Sequence, residues 1–265
     1  MPTDEDSYFE GLGEGRRPDA DAGAGSPPPR VTPVPPVPMP PPLPTQPSGM
    51  DHVQAWQRFR PVLWLIGLLI FSSLAGGIAY LITEDESPRL DAWITGFDAI
   101  VIMAFAWREW SAVRAALTLS VTPRAWVLAV LSFGALYVFM QGYVYLLSMA
   151  FDWIEYLASY RDYGWPKWSA VLLIVVAPAL FEEIAFRGFL LERLAPLIGQ
   201  RDALLLQAAL FSILHLAIPS LPSHFLMGLL FGFLRIRTKS LVPGMLVHGA
   251  WNLTVLLEEG LLEAW

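Results

Sequence analysis

Three short stretches of this chain place acidic, imidazole and amide side chains inside otherwise apolar runs. The first reads Val175-Val176-Ala177-Pro178-Ala179-Leu180-Phe181-Glu182-Glu183-Ile184-Ala185-Phe186-Arg187-Gly188; the second is Phe211-Ser212-Ile213-Leu214-His215; the third is His248-Gly249-Ala250-Trp251-Asn252. A carboxylate beside an imidazole can hold a water in a basic state, and Glu182 with His215 is the natural pair for it. His248 and Asn252 offer hydrogen-bond donors suited to the oxyanion of a hydrolysed carbonyl. Two histidines and a glutamate are also the donor set of an open zinc site, which makes Glu182, His215 and His248 the metal-binding alternative.

Spacing turns these residues into geometry. Glu183 and Arg187 are four apart, share a helix face and can neutralise one another. Glu182 points about 100° away at 3.6 residues per turn and must find another partner. The same four-residue step stacks His248 over Asn252 and Phe211 over His215. Pro178 lies four before Glu182, removes the bond to the carbonyl of Ile174 and predicts a kink there. At a rise of about 1.5 Å per residue, Glu182 is about 16 Å from Arg193, His248 about 14 Å from Lys239 and His215 about 21 Å from Arg201. These similar depths predict that three helices converge their polar residues on one buried pocket, displaced toward the cytosol.

The elements that must carry them are membrane helices. Of 265 residues 55% are hydrophobic and only 15% charged, with a mean hydropathy of +0.48, too apolar for an ordinary soluble domain. An ionisable group at mid-membrane costs about 2.5–3.5 kcal/mol on the insertion scale, so five polar residues at one depth point to function rather than helix glue. A net charge of −7 without a dense basic stretch excludes nucleic-acid binding, and the absence of cysteine excludes thiol chemistry, disulfides and zinc–cysteine sites. Seven apolar runs follow one another: Pro61–Ile82, Ala92–Trp107, Ala125–Met149, Trp168–Leu190, Asp202–Ala217, His224–Leu234 and Leu241–Leu257. About 20 residues span a bilayer, which predicts an all-α, polytopic bundle of seven spans. The fifth and sixth are short and form a tight, re-entrant-like pair around Ile218–Pro222.

Arginine placement orients the bundle. Arg58, Arg60, Arg108, Arg114, Arg124, Arg193, Arg201, Arg235, Arg237 and Lys239 fall on one side of the runs; the opposite loops carry Glu84, Asp85, Glu86, Asp152, Glu155 and Asp162. The positive side faces the cytosol, so the amino terminus is expected there, in the inner (cell) membrane of a bacterium. Trp56, Trp107, Trp110, Trp126, Trp165 and Trp168 read as interfacial anchors. Residues 1–55 read as a disordered cytosolic tail with a proline run over Pro27–Pro47, a spacer that also offers a PxxP-type ligand to an unidentified partner. The tail lacks signal-peptide features, so the first span is expected to be retained. The bundle is expected over 56–265, its motif-bearing core over 168–257. Asp98 in the second run reads as structural or interfacial, His224 as interfacial, and Gly228 with Gly232 as a close-packing surface.

No HExxH, no GxSG serine and no facing aspartate pair is present, and no inverted repeat suggests a transporter. The pattern EExxxR (Glu182 to Arg187), FxxxH (Phe211 to His215) and HxxxN (His248 to Asn252), in that order on three successive hydrophobic segments, resembles the CAAX protease and bacteriocin-processing (CPBP, or Abi) family of intramembrane proteases. The resemblance covers roughly residues 168–257. It implies an endopeptidase in which Glu182 and His215 activate water, His248 and Asn252 stabilise the oxyanion, and Glu183, Arg187 and Phe211 support the site. It implies metal-independent, glutamate-dependent hydrolysis, with zinc as the alternative. The expected substrate is a membrane-anchored or hydrophobic protein or peptide, and the competing expectation is a non-catalytic immunity or regulatory protein that binds a membrane partner.

Overall fold

The computed structural model describes residues 50–119, 121–151 and 155–263. The proline-rich tail and Asp152 lie outside the described residues. Nine helices occur among them: α1 (His52–Thr83), α2 (Pro88–Arg108), α3 (Trp110–Ala116), α4 (Pro123–Ser148), α5 (Tyr156–Asp162), α6 (Lys167–Ile198), α7 (Gln200–Ile213), α8 (Leu221–Thr238) and α9 (Val242–Glu258). No strand is present among the described residues. The helix starts follow local chemistry. The Asp51 carboxylate accepts the Gln54 N–H at 2.7 Å and caps α1. Helices α2 and α4 open on prolines that have no N–H to leave unpaired. Helix α1 thus already includes residues 52–55.

Helices occupy all seven apolar runs, but four of them, not seven, are both long and apolar enough to cross a membrane among the described residues: α1, α2, α4 and α6. The three that fall short follow α6. Helix α7 has 14 residues and α9 has 17, about 21 and 26 Å at helical rise against a hydrocarbon core of about 30 Å. Helix α8 is diluted by Ser223, His224, Arg235 and Arg237. Large apolar side chains on the long helices stay exposed, among them Phe71, Ile78, Leu81, Ile100, Val130 and Val138. A bundle that buries polar residues while exposing these has lipid as its solvent, and the protein is an integral membrane protein. Trp56, Trp107 and Trp168 are exposed as interfacial anchors should be, whereas Trp165 packs edge-on against Tyr160.

The core sits where α6 is wrapped by the others. Phe189, Leu190 and Leu194 of α6 are buried together with Leu65 of α1, Ala106 of α2, Val113 of α3, Leu136 of α4, Phe231 of α8 and Leu241. Polar ties close the arginine-bearing ends. Arg193 of α6 pairs with Glu109 and donates to the carbonyl of Arg58 at 3.1 Å, and Arg235 of α8 pairs with Glu192 at 2.5 Å.

Helices α7 and α8 form the tightest pair, joined by one turn of 3₁₀-helix at Ile218–Ser220. The Ser212 hydroxyl donates to the Leu221 carbonyl at 2.6 Å across that turn, and the Tyr143 hydroxyl of α4 donates to the Pro219 carbonyl at 2.6 Å. The close-packing surface read from Gly228 and Gly232 is present: a Cβ on Gly228 would lie 2.7 Å from Ala208 Cα, and one on Gly232 would lie 2.7 Å from Gln207 Nε2. Overpacking of this kind costs about 1–3 kcal/mol. Gly228→Val is therefore expected to lower the thermal unfolding midpoint of the detergent-solubilised protein by several degrees. Gly67→Val, where nothing lies within 4 Å of an added Cβ, is expected to leave it unchanged.

Candidate active site

The expected Glu183–Arg187 pair forms within α6. Arg187 Nη1 donates to Glu183 Oε1 at 2.9 Å, with side-chain exposures of 0% and 1%. Its guanidinium carbon lies 4.4 Å from the centre of the Phe211 ring and 5.2 Å from that of Phe231, so aromatic faces enclose the charge where no water does. Nη2 reaches the Gly228 carbonyl at 3.4 Å, an oxygen that also accepts Gln207 Nε2 at 2.7 Å. The missing side chain of Gly244 leaves room for the acid, since a Cβ there would lie 3.1 Å from Glu183 Oε2.

His248 of α9 stands between the two glutamates. Its Nδ1 is 3.3 Å from Glu183 Oε1 and its Nε2 is 3.9 Å from Glu182 Oε2. Its ring stacks on Phe231, with centroids 5.0 Å apart. The first distance is a hydrogen bond; the second is too long for one and leaves an ion-pair contact when His248 is protonated. Glu182 Oε2 is buried and has no hydrogen-bond partner.

His215 departs from its expected place. Helix α7 stops at Ile213, so His215 lies in the turn that follows rather than within a spanning helix. The last carbonyls of a helix lack backbone donors. The His215 backbone N–H bonds to Ser212, while His215 Nδ1 and the carbonyl of Phe211 are 2.7 Å apart. A carbonyl only accepts, so Nδ1 carries the proton and the neutral ring keeps its lone pair on Nε2. The expected stacking survives the change of backbone, with Phe211 and His215 centroids 4.9 Å apart. Glu182, His215 and Phe211 line one cavity of about 170 Å³ together with Pro178, Phe181, Ser73 and Asp98.

Asn252 takes up a particular contact: its Nδ2 donates to the Ile174 carbonyl at 2.9 Å. Ile174 lies four before Pro178, and the proline ring crowds that carbonyl while offering it no N–H. The chain passes through Pro178 without a break because the hydrogen bonds of α6 step by five residues, as from Ala177 N–H to Leu172 and from Leu191 N–H to Phe186. Such wide turns concentrate at functional sites. They run along the helix through Val171–Val176, Pro178–Glu182 and Ile184–Leu190. The second N–H of the Asn252 carboxamide is not used by this bond.

Two residues read as structural or interfacial belong to this region. Asp98 of α2 lines the cavity, and its Oδ1 is buried without a partner. His224 of α8 packs its ring on His215, centroids 3.8 Å apart, with Nδ1 held by the Ser220 carbonyl at 2.9 Å. The signals were present in the chain: Asp98 breaks an apolar run as Glu182 does, and two prolines between His215 and His224 mark a reversal that folds one histidine back on the other. Among the described residues no three His, Asp or Glu side chains converge to hold a metal ion. His215 Nδ1 is held by a carbonyl, which leaves Nε2 to the cavity, and His248 turns Nε2 toward Glu182.

Acids and imidazoles thus gather among the apolar helices of a helical membrane protein. Residues 164–254, the segment that carries all three motifs, match the family described as Type II CAAX prenyl endopeptidase Rce1-like. No curated protein and no solved structure matched the chain.

Breaking a buried ion pair from one side strands a charge, at a cost of about 3–5 kcal/mol. Glu183→Ala and Arg187→Ala are each expected to abolish a cooperative unfolding transition or lower its midpoint sharply. The double variant Glu183→Leu with Arg187→Met is expected to recover much of that loss in the same thermal melt.

Proposed function

We propose that this protein is an intramembrane endopeptidase in which Glu182 and His215 together activate a water against a peptide bond. The observation that carries this reading is their presence in one cavity, a Glu182 carboxylate oxygen unpartnered and the imidazole lone pair fixed on Nε2. A water between them gives one proton toward Glu182 while its oxygen bonds the carbonyl carbon. His248 Nε2, when protonated, and the remaining Asn252 N–H are the donors for the oxyanion. The protonated acid then returns its proton to the leaving amine as the C–N bond breaks. Glu183 and Arg187 hold His248 and Phe211 in register and do not touch substrate.

In this reading Glu182 and His215 activate the water without a metal, and zinc held by Glu182, His215 and His248 is the alternative. The substrate is a membrane-anchored or hydrophobic protein or peptide. The arginine distribution supports a cytosolic amino terminus, with the protein in the cell membrane.

General acid–base groups contribute about 10²–10⁴-fold. Glu182→Ala and His215→Ala are each expected to lower cleavage of a membrane-anchored reporter peptide by at least about a hundredfold while melting normally, and His248→Ala by a comparable factor. Cleavage by the wild type is expected to persist in chelator. Full activity in both Glu182→Ala and His215→Ala would leave the non-catalytic reading, a membrane immunity or regulatory protein, as the better account.

A further inference from the structure

The cavity has more hydrogen-bond acceptors than hydrolysis requires. An attacking water carries two protons, and Glu182 with His215 Nε2 receives them. Two further groups line the same space. Asp98 lines the cavity, and its Oδ1 is buried without a hydrogen-bond partner. Ser73 has spent its hydroxyl proton on the Leu69 carbonyl at 3.0 Å, so its oxygen can only accept. No lysine or arginine lines the cavity. The nearest guanidinium, that of Arg187, is committed to Glu183 and enclosed by Phe211 and Phe231.

Apart from the Thr95 hydroxyl the polar groups of this lining are acceptors, and ammonium and guanidinium groups are the protein side chains that donate without accepting. The surrounding wall is apolar, from Leu69, Ile102, Phe181 and Leu214, which suits the hydrocarbon stem of such a side chain. Asp98 belongs to α2, outside the segment matched to the protease family, so it is supplied by a part of the chain that the three motifs do not include.

We propose that Asp98, with Ser73, forms a subsite for a lysine or arginine side chain of the peptide substrate, beside the bond that Glu182 and His215 attack. This rests on the endopeptidase reading, and Asp98 acts on specificity: it holds the substrate's cation and leaves the chemical step to Glu182 and His215.

The test begins with binding, which needs no turnover. The full-length protein in lipid nanodiscs is titrated with n-hexylammonium, hexan-1-ol or sodium chloride and followed by thermal stability. Hexylammonium is expected to give a saturable stabilisation that Asp98→Asn weakens about tenfold, the scale of one charge-assisted hydrogen bond, and hexanol none. Equal binding by Asp98→Asn, saturation by hexanol over the same range, or the same saturation by sodium alone would each overturn the subsite. If Asp98→Asn fails to fold, Ser73→Ala takes its place, and unchanged hexylammonium affinity there overturns the proposal equally. The second arm compares reporter peptides bearing lysine or norleucine at positions flanking the cleaved bond. A lysine advantage in KM, lost in Asp98→Asn with kcat retained, supports the subsite. No lysine advantage, in a protein whose cleavage still depends on Glu182, removes the subsite and keeps the protease. Ammonium binding lost in Asp98→Asn, in a protein that cleaves nothing, removes the protease and keeps the subsite.

Discussion

The Glu183–Arg187 ion pair is the interaction on which the rest of this architecture depends. Two opposite charges have been taken fully out of water inside one helix, and everything around them is arranged to make that tolerable. Phe211 and Phe231 enclose the cation, Gly244 makes room for the anion, and the Gly228 carbonyl takes a further donor. These accommodations come from three other helices, so satisfying the pair fixes α7, α8 and α9 against α6. His248 then inherits its position from Glu183, and Glu182, one residue earlier, is delivered to the cavity by the same helix. A charge pair is weak evidence of stability in general; here it specifies which faces meet.

Helix ends do the remaining work. His215 owes its tautomer to a carbonyl freed by the end of α7, and His224 is held in the same way by the Ser220 carbonyl just before α8. Asn252 is anchored by an oxygen beside Pro178. In each case an imidazole or amide is oriented by a backbone group that regular α-helix would have consumed, which is why irregular backbone lies so close to the polar side chains.

Much of this was legible in the chain. The Glu183–Arg187 spacing specifies its contact whatever the details of the turn, because residues four apart meet on any right-handed helix of this kind. The apolar runs located seven of the nine helices, and the glycine pair located the α7–α8 contact. What could not be read were quantities set by tertiary context. Periodicity alone does not reveal that α6 widens its turns around Pro178, nor that α7 ends two residues before His215. Run counting treated hydrophobicity as spanning capacity, whereas α7 and α9 are apolar yet short. Asp98 and His224 were set aside because each looked isolated in sequence. Their partners come from other helices or from across a turn, and only the fold brings them together.

The shortness of α7 bears on the membrane itself. Leu205, Leu206 and Ile213 are exposed on this helix, yet its length of about 21 Å falls well below the thickness of a relaxed hydrocarbon layer. Lipid against that flank must compress or tilt to meet it, a hydrophobic mismatch that thins the bilayer locally. The water boundary is thereby drawn inward toward the end of α7, the end that carries His215. A polar backbone segment approaching along this side crosses less oil than it would anywhere else around the bundle.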